Sequence, residues 1–160
     1  MRIALISEHA SPLALLGGND AGGQNVYVAQ LARRLGAMGH LVDVFTRRDD
    51  PALPTIARLG FNARVIHIDA GPPAFVPKEE LLPFMEAFSE GIVEHARATS
   101  YDVSHANFFM SGLASLRLKR ELGLPFVITF HALGRVRRLH QREADRFPLA
   151  RERIEDALVA

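Results

Sequence analysis

The sequence contains no cysteine among its 160 residues. This absence excludes disulfide bonds and thiolate metal sites, and it agrees with a reducing compartment. The chain also contains no HxH or HExxH pair of the kind that binds zinc. We therefore expect a site without a metal ion, in a protein located in the cytoplasm.

Long apolar runs and an excess of one charge are missing as well. The first apolar run, MRIALIS, meets Glu8 and His9 at once, and no later run reaches the ~18 residues of a membrane helix. Lysine plus arginine number 19, against 18 for aspartate plus glutamate. Bulk charge therefore gives no reason to expect nucleic acid or a membrane surface as a partner, and we expect no membrane span.

Hydrophobic residues make up 48% of the chain, which at this length suffices for one buried core and one globular domain. Short apolar runs suited to buried strands alternate with apolar stripes at helical spacing. Such alternation predicts an α/β fold, a Rossmann-like three-layer sandwich with a mostly parallel sheet and helices on both faces. The predicted strands are residues 1–7, 41–46, 63–69, 101–106 and 125–130.

Two of the predicted helices have recognisable starts. The segment PKEE, residues 77–80, is predicted to open the helix after the third strand. Ser111 is predicted to cap the helix after the fourth.

Ligands of such sheets bind beyond the carboxyl ends of the strands, so the segments that follow the strands carry the candidate site. Three histidines, His9, His105 and His131, follow three different strands and are expected to converge. The residues collected at this edge are Gly22, Gly23, Asn25, Arg47, His105, Asn107, His131 and Arg135.

The glycine-rich stretch GGNDAGGQN, residues 17–25, stands where a phosphate-binding loop is expected. It is not a Walker A loop, because Gly23 and Gln24 stand where that loop needs lysine and serine or threonine. It also lacks the GxGxxG spacing of a dinucleotide site. Gly22 and Gly23 still allow backbone N–H groups at a helix start to approach an anion. The alternative is a glycine-rich surface loop.

Basic residues offer two further candidates, each with a structural alternative. Lys78 lies in a predicted first helical turn, where a cation gains nothing from the helix dipole, so it is either solvated or functional. The cluster of Arg135, Arg137 and Arg138 is either a solvated helix face or a phosphate clamp.

Three motifs in order, GGNDAGGQNVYVAQLARRLGAMGHLVDVFTR, HANFFMSG and FVITFHALGRVRR with RERIEDALVA, resemble the amino-terminal half of family 4 retaining glycosyltransferases of the two-domain GT-B type. The similar branches are sucrose-phosphate synthase-like enzymes and those that glycosylate inositol phosphate. The resemblance covers nearly the whole chain. It implies an acceptor-binding first domain, a donor-binding second domain and a metal-independent reaction in the cleft between them.

The resemblance also implies substrates and residue roles. The donor is expected to be a nucleotide sugar, UDP-linked, and the acceptor a phosphorylated sugar or polyol. Three departures bear on these roles. Asn107 and Phe108 stand where the family usually has histidine and tyrosine, and Ala132 replaces the threonine of the inositol-phosphate branch, which leaves that acceptor unassigned. The implied roles are catalysis for His131, donor-phosphate binding for Gly22 and Gly23, and acceptor binding for Gln24, Asn25, Lys78, Asn107, Arg135, Arg151 and Arg153.

A complete enzyme of this type is longer than the present chain. We therefore expect residues 1–160 to be a single Rossmann-like domain, the amino-terminal half of a GT-B enzyme, inactive without its carboxyl-terminal donor domain. The alternative is a free-standing Rossmann-like module that binds a phosphorylated metabolite or nucleotide.

Overall fold

The computed structural model describes residues 1–14 and 22–160. Residues 17–21 of the glycine-rich stretch lie outside the described residues. Short 3-10 turns occupy Lys78–Glu80, Leu82–Phe84 and Arg142–Ala144. The strands and helices are β1 (Arg2–Ile6), α1 (Gly23–Ala37), β2 (Leu41–Arg47), β3 (Ile56–Gly60), β4 (Ala63–Ile68), α2 (Met85–Ala98), β5 (Val103–Asn107), α3 (Phe109–Leu122), β6 (Phe126–Thr129), α4 (Gly134–Gln141) and α5 (Ala150–Val159).

The strands form one sheet in the order β3-β4-β2-β1-β5-β6. Neighbouring strands run parallel except for the antiparallel pair of β3 and β4. The chain leaves β1 to build β2 on one side and later returns to build β5 on the other. The loops that follow β1 and β5 therefore diverge, which opens a crevice at the carboxyl edge between these two strands.

Alternation along the central strand separates two hydrophobic cores. Ile3 and Leu5 pack with Val28 and Ala32 of α1 on one face of the sheet. Ala4 and Ile6 belong to the core on the opposite face, which includes side chains of α2 and α3. Since successive side chains of a strand point to opposite faces, β1 must be apolar throughout to be covered twice. The predicted three-layer α/β fold is confirmed.

The sequence analysis missed strand β3. This five-residue edge strand begins with the half-exposed Ile56 and has one fully buried residue, Leu59, so it lacks the continuous apolar run that marks the inner strands. A short turn joins it to β4, and Asn62 in that turn has a φ of 53°. Asparagine tolerates this left-handed conformation, and this was the signal in the sequence for a hairpin.

Two helix starts also differ from the prediction. Helix α2 begins at Met85, not within PKEE, because two 3-10 turns precede it and Pro83 lies in the second. Helix α3 begins at Phe109 without a side-chain cap. Ser111 is therefore not its N-cap, and the Ser111 hydroxyl donates a hydrogen bond to Glu8 instead.

Gly36 in the last turn of α1 provides a test of how closely this helix packs on the hairpin. A Cβ at this position would overlap the backbone carbonyl oxygen of Phe61. We expect Gly36→Ala to lower the free energy of unfolding by about 1–3 kcal/mol through overpacking, although alanine is intrinsically the better helix former. Chemical denaturation measures the effect.

The matched control is Gly23→Ala in the first turn of the same helix, where an added Cβ meets no atom within 4 Å. This variant should unfold at the wild-type denaturant concentration or above it. Equal stability of the two variants would contradict the close packing of Gly36.

Candidate active site at the carboxyl edge of the sheet

Gln24, in the first turn of α1, bridges the crevice between β1 and β5. Its Nε2 donates to the Ser7 hydroxyl after β1 and to the Asn107 carbonyl at the end of β5, at 3.2 Å in both cases. One side chain therefore ties together the start of α1 and the two diverging strands. The acceptor contact that the resemblance implies for Gln24 stays a prediction.

The backbone at the start of α1 is held by Asn25. Its Oδ1 accepts from the Gly22 amide at 3.0 Å, and its Nδ2 donates to the Ser11 carbonyl at 3.0 Å. Gly22 has an extended backbone with φ −133°, a conformation open to any residue. A Cβ on Gly22 or Gly23 would meet no atom of the described residues within 4 Å. Within this part of the chain, neither backbone conformation nor packing requires glycine at these two positions.

His131 and Asn107 meet where β6 and β5 end. His131 Nε2 lies 3.0 Å from Asn107 Oδ1, and the Tyr27 ring of α1 contacts the imidazole edge-on, with a centroid distance of 5.1 Å. Asn107 is completely buried. His131 has φ 59°, a left-handed conformation that is uncommon for a residue with a side chain and is often found at functional sites.

The three histidines predicted to converge do come together. Partial burial lowers the pKa of His131, the charge of His9 lowers it further, and Glu8 opposes both effects. Burial and the neighbouring His131 lower the pKa of His105, whose Nε2 lies 2.9 Å from the Thr129 hydroxyl. Both imidazoles are therefore neutral at neutral pH.

Glu8 is a buried carboxylate at this edge that sequence analysis did not select. One of its oxygens lies 2.8 Å from His9 Nδ1, and the other accepts from the Ser111 hydroxyl. The His9 ring packs edge-on against Phe108, which has a φ of 91°. An acidic residue that directly follows a buried strand was the signal in the sequence. The carboxylate anchors both His9 and the start of α3.

A small pocket of about 40 Å³ lies beside Glu8 and His9, bounded by Asn25, by Arg47 at the end of β2 and by Phe75, Val76 and Leu81. Arg47 is buried, which lowers its pKa, with Asp49 opposing the shift. Its guanidinium donates to the backbone carbonyls of residues 72 and 74, at 2.6 Å each. Arg47 therefore holds the loop that leads to Phe75 and Val76 at the pocket; Lys78 follows two residues later and is not part of the lining.

Arg151 of α5 lies inside the protein. Only 1% of the residue is exposed, and its guanidinium carbon lies 4.6–5.0 Å from the ring centroids of Phe108, Phe109 and Phe147. Its Nε donates to Glu155 at 2.7 Å and its Nη2 to the Ala132 carbonyl at 2.5 Å. The sequence analysis expected Arg151 at the acceptor phosphate. Its observed contacts are with the protein, and they support the loop that carries His131.

Glu155 completes this support from the other end of the loop. Both of its carboxylate oxygens accept from the Gly134 amide, at 2.8 and 3.1 Å, which satisfies an otherwise unpaired donor at the start of α4. The buried pair of Arg151 and Glu155 thus holds residues 132 and 134, just after His131.

Within the predicted cluster, Arg135 and Arg138 share a partner, since they lie 3.9 and 3.1 Å from the carboxylate of Glu152 in α5. Arg135 is exposed and pairs with Asp156 of α5 at 2.6 Å. Arg137 faces another way and lies 3.0 Å from Asp145 and 3.8 Å from Glu79. Arg153 is exposed on the side of α5 opposite Arg151, since residues two apart on a helix do not share a face. The structure does not gather Arg135, Arg151 and Arg153 around one point.

Residues 21–159 match the family described as Glycosyltransferase Family 4. The chain belongs to glycosyltransferase family 4. The resemblance drawn from the motifs is confirmed.

Family 4 relatives carry names that agree with the two branches identified from sequence. A D-inositol 3-phosphate glycosyltransferase of Corynebacterium aurimucosum is 42% identical over 143 residues, which cover 88% of this chain and 34% of the relative. A D-inositol 3-phosphate glycosyltransferase of Thermobifida fusca is 40% identical over 164 residues, which cover 99% of this chain and 38% of the relative. The chain therefore spans about a third of the length of these relatives.

Solved structures agree with this family 4 assignment. A sucrose-phosphate synthase from Thermosynechococcus elongatus superimposes with a TM-score of 0.92 at 34% identity, over 98% of this chain and 39% of that one. The catalytic domain of starch synthase IV from Arabidopsis thaliana superimposes with a TM-score of 0.54 at 18% identity, a likeness of fold alone.

Two further features of this family 4 chain concern the described residues only. Residues 1–14 and 22–160 contain no group of three histidine, aspartate or glutamate side chains arranged to hold a metal ion. The helices within these ranges are too short or too polar to cross a membrane.

The pair of Arg151 and Glu155 can be tested by a double-mutant cycle on unfolding free energy. Arg151→Met or Glu155→Leu alone leaves one buried charge without its partner, which costs about 3–5 kcal/mol. Together the two changes should cost clearly less than the sum of the single losses, because both charges are then gone.

The exposed pair of Arg135 and Asp156, which joins α4 to α5, serves as the control. Its cycle with the matching substitutions, Arg135→Met and Asp156→Leu, should give a coupling of ~1 kcal/mol or less. Additive effects of the buried pair would show that Arg151 and Glu155 act independently.

Proposed function

We propose that this chain is the acceptor-binding part of a retaining glycosyltransferase, which transfers a sugar from a nucleotide sugar to a phosphorylated sugar or polyol. The names of the relatives support this class of acceptor, since one denotes an inositol phosphate glycosyltransferase and the other a sucrose-phosphate synthase. The chain spans about a third of such relatives, so the complete reaction needs a donor-binding domain that these residues do not supply.

One observation carries the proposal, namely the open start of α1 beside His131. Gly22 and Gly23 leave space among the residues that the structure describes, and contacts with these residues do not require glycine. The unpaired N–H groups of a helix start and the helix dipole favour an anion at such a place. The donor diphosphate is the anion that fits, because its negative charge grows as the sugar leaves and helix N–H groups stabilise it most at that moment.

The acceptor is proposed to bind at the mouth of the neighbouring pocket, which is too small to enclose a sugar phosphate and is bounded by Glu8, His9 and the segment with Phe75, Val76 and Leu81. Lys78 lies in the turn of this last segment and supplies a positive charge for the acceptor phosphate. His131, neutral and held at the edge of the crevice, then lies beside the transferred sugar. We further propose that the donor is UDP-linked, that no metal takes part and that the enzyme works in the cytoplasm.

The donor-phosphate role predicts a graded effect of side-chain size at Gly23. In the full-length protein, Gly23→Val should reduce transfer by about a hundredfold or more, because its side chain separates the backbone N–H groups from the diphosphate. Gly23→Ala should have a smaller effect. Steady-state transfer rates measure both, and melting curves establish that the variants are folded.

Arg34→Val, an exposed change in the last turn of the same helix, is the control and should leave the rate unchanged. A folded Gly23→Val enzyme with near-normal turnover would show that the glycines form only a surface loop.

The acceptor-phosphate role is tested at Lys78. A charge-assisted hydrogen bond contributes roughly 1.5–3 kcal/mol, so Lys78→Ala should weaken a phosphorylated acceptor about tenfold or more. D-inositol 3-phosphate and a hexose 6-phosphate, each compared with its unphosphorylated form, can be titrated calorimetrically. The unphosphorylated forms should lose little.

Lys119→Ala, on the exposed end of α3, removes a lysine far along the chain and should change no affinity. If Lys78→Ala weakens phosphorylated and unphosphorylated acceptors equally, Lys78 has a structural role. Binding of phosphorylated compounds without any transfer by the full-length protein would favour a regulatory binding module instead.

A further inference from the structure

The orientation of the Asn107 side chain follows from its surroundings. Its Nδ2 donates to the His105 carbonyl at 3.3 Å. A rotated amide would place Oδ1 against this carbonyl, and two acceptors cannot form a hydrogen bond. Because Asn107 is completely buried, water cannot compensate for such a contact. Oδ1 must therefore face His131.

This orientation decides which nitrogen of His131 carries the proton. Asn107 Oδ1 can only accept, so His131 Nε2, at 3.0 Å, must donate. A neutral imidazole has a single N–H, and the other nitrogen then has a lone pair. The lowered pKa of His131 keeps the ring neutral at neutral pH. The remaining nitrogen, Nδ1, is consequently an acceptor.

We infer that Asn107 is a positioning residue that holds His131 as the Nε2–H tautomer, so that Nδ1 accepts a hydrogen bond from a sugar hydroxyl. The hydroxyl part of this inference rests on the proposed glycosyltransferase function. It assigns Asn107 a different task from the acceptor contact implied by resemblance, since Oδ1, Nδ2 and the backbone carbonyl of Asn107 are all engaged within the protein.

The surrounding contacts keep both partners in place. Gln24 holds the carbonyl of Asn107, and Arg151 holds the carbonyl of Ala132, directly after His131. Tyr27 packs against the imidazole ring. The titratable groups that act on the ring are Glu8 and His9, and the ring itself acts on His105; all three are present in every variant considered below.

A histidine at position 107, which is usual in the family, has both a donor and an acceptor nitrogen and so accommodates either tautomer of His131. Asparagine at this position allows only the Nε2–H tautomer. With this departure from the family pattern, His131 favours a ligand hydroxyl that donates to Nδ1 and disfavours a ligand group that can only accept a hydrogen bond.

Nuclear magnetic resonance of the histidine side chains tests the tautomer without any need for catalysis. In long-range ¹H–¹⁵N spectra of the 160-residue protein at neutral pH, His131 should show a protonated Nε2 and an unprotonated Nδ1. His140, exposed on α4, serves as the internal reference. A protonated Nδ1 on His131 in the wild type would overturn the inference.

Two variants separate a positioning role from a merely structural one. Asn107→Asp keeps an acceptor for His131 but loses the bond to the His105 carbonyl, so the variant should be less stable; the tautomer should persist while the carboxylate raises the pKa of His131 by about one unit or more. Asn107→Leu has nearly the same size but no acceptor, so His131 should become a mixture of tautomers. His140 should be unchanged in both. An unaltered tautomer in the leucine variant also contradicts the inference, and the aspartate variant remains informative if leucine prevents folding.

Transfer by the full-length protein tests the hydroxyl contact. Asn107→Leu should lower the transfer rate by about two- to tenfold, the equivalent of one neutral hydrogen bond, and Asn107→Asp should restore it above the pKa of His131. If the spectra show the Nε2–H tautomer in the wild type but Asn107→Leu transfers sugar at the wild-type rate, the hydroxyl contact is refuted and the tautomer assignment stands. Failure of the full-length protein to transfer any sugar would refute the proposed function and leave the spectral result unaffected.

Discussion

The divergence of the chain at β1 is the constraint on which the site depends. A parallel sheet that grows first to one side of a central strand and then to the other must leave a gap between the two following loops. In this protein α1 begins over that gap, and Gln24 links Ser7 on one side with Asn107 on the other. The helix start, the His131 edge and the pocket are neighbours because they all surround this one opening.

Buried polar groups hold irregular backbone at the edge of this opening. Phe108 and His131 both have positive φ, a conformation that costs free energy for residues with large side chains. Glu8 bonds Ser111 three residues after Phe108, and the pair of Arg151 and Glu155 bonds the backbone just after His131. These charged side chains therefore hold the loops in place, while the His131 imidazole at the crevice is neutral.

Much of the fold could be predicted because its signals are local. A central strand buried on both faces must be apolar throughout, and the segments that follow such strands are recognisable as candidate site regions. Strand β3 escaped prediction because an edge strand needs little apolar surface. The true start of α3 escaped prediction because Ser111 bonds the carboxylate of Glu8, 103 residues away, instead of capping the helix. The direction of Arg135 escaped for the same reason, because it depends on Asp156, 21 residues later. Arg151 and Glu155 stand four residues apart on one helix, so their pairing did have a local signal, but the burial of the pair had none.

The support that α5 gives to the His131 loop has a consequence for where this domain can be divided. The sheet is complete once β6 ends at Thr129, whereas the core beneath α2 and α3 also contains Phe147 and Leu158 from the segment that follows. The backbone beyond His131 is fixed by Arg151 and Glu155, which lie 19 and 21 positions after the residues that they bond. A boundary drawn directly after the last strand would therefore keep every strand of this sheet while removing both a part of this core and the support of the histidine loop.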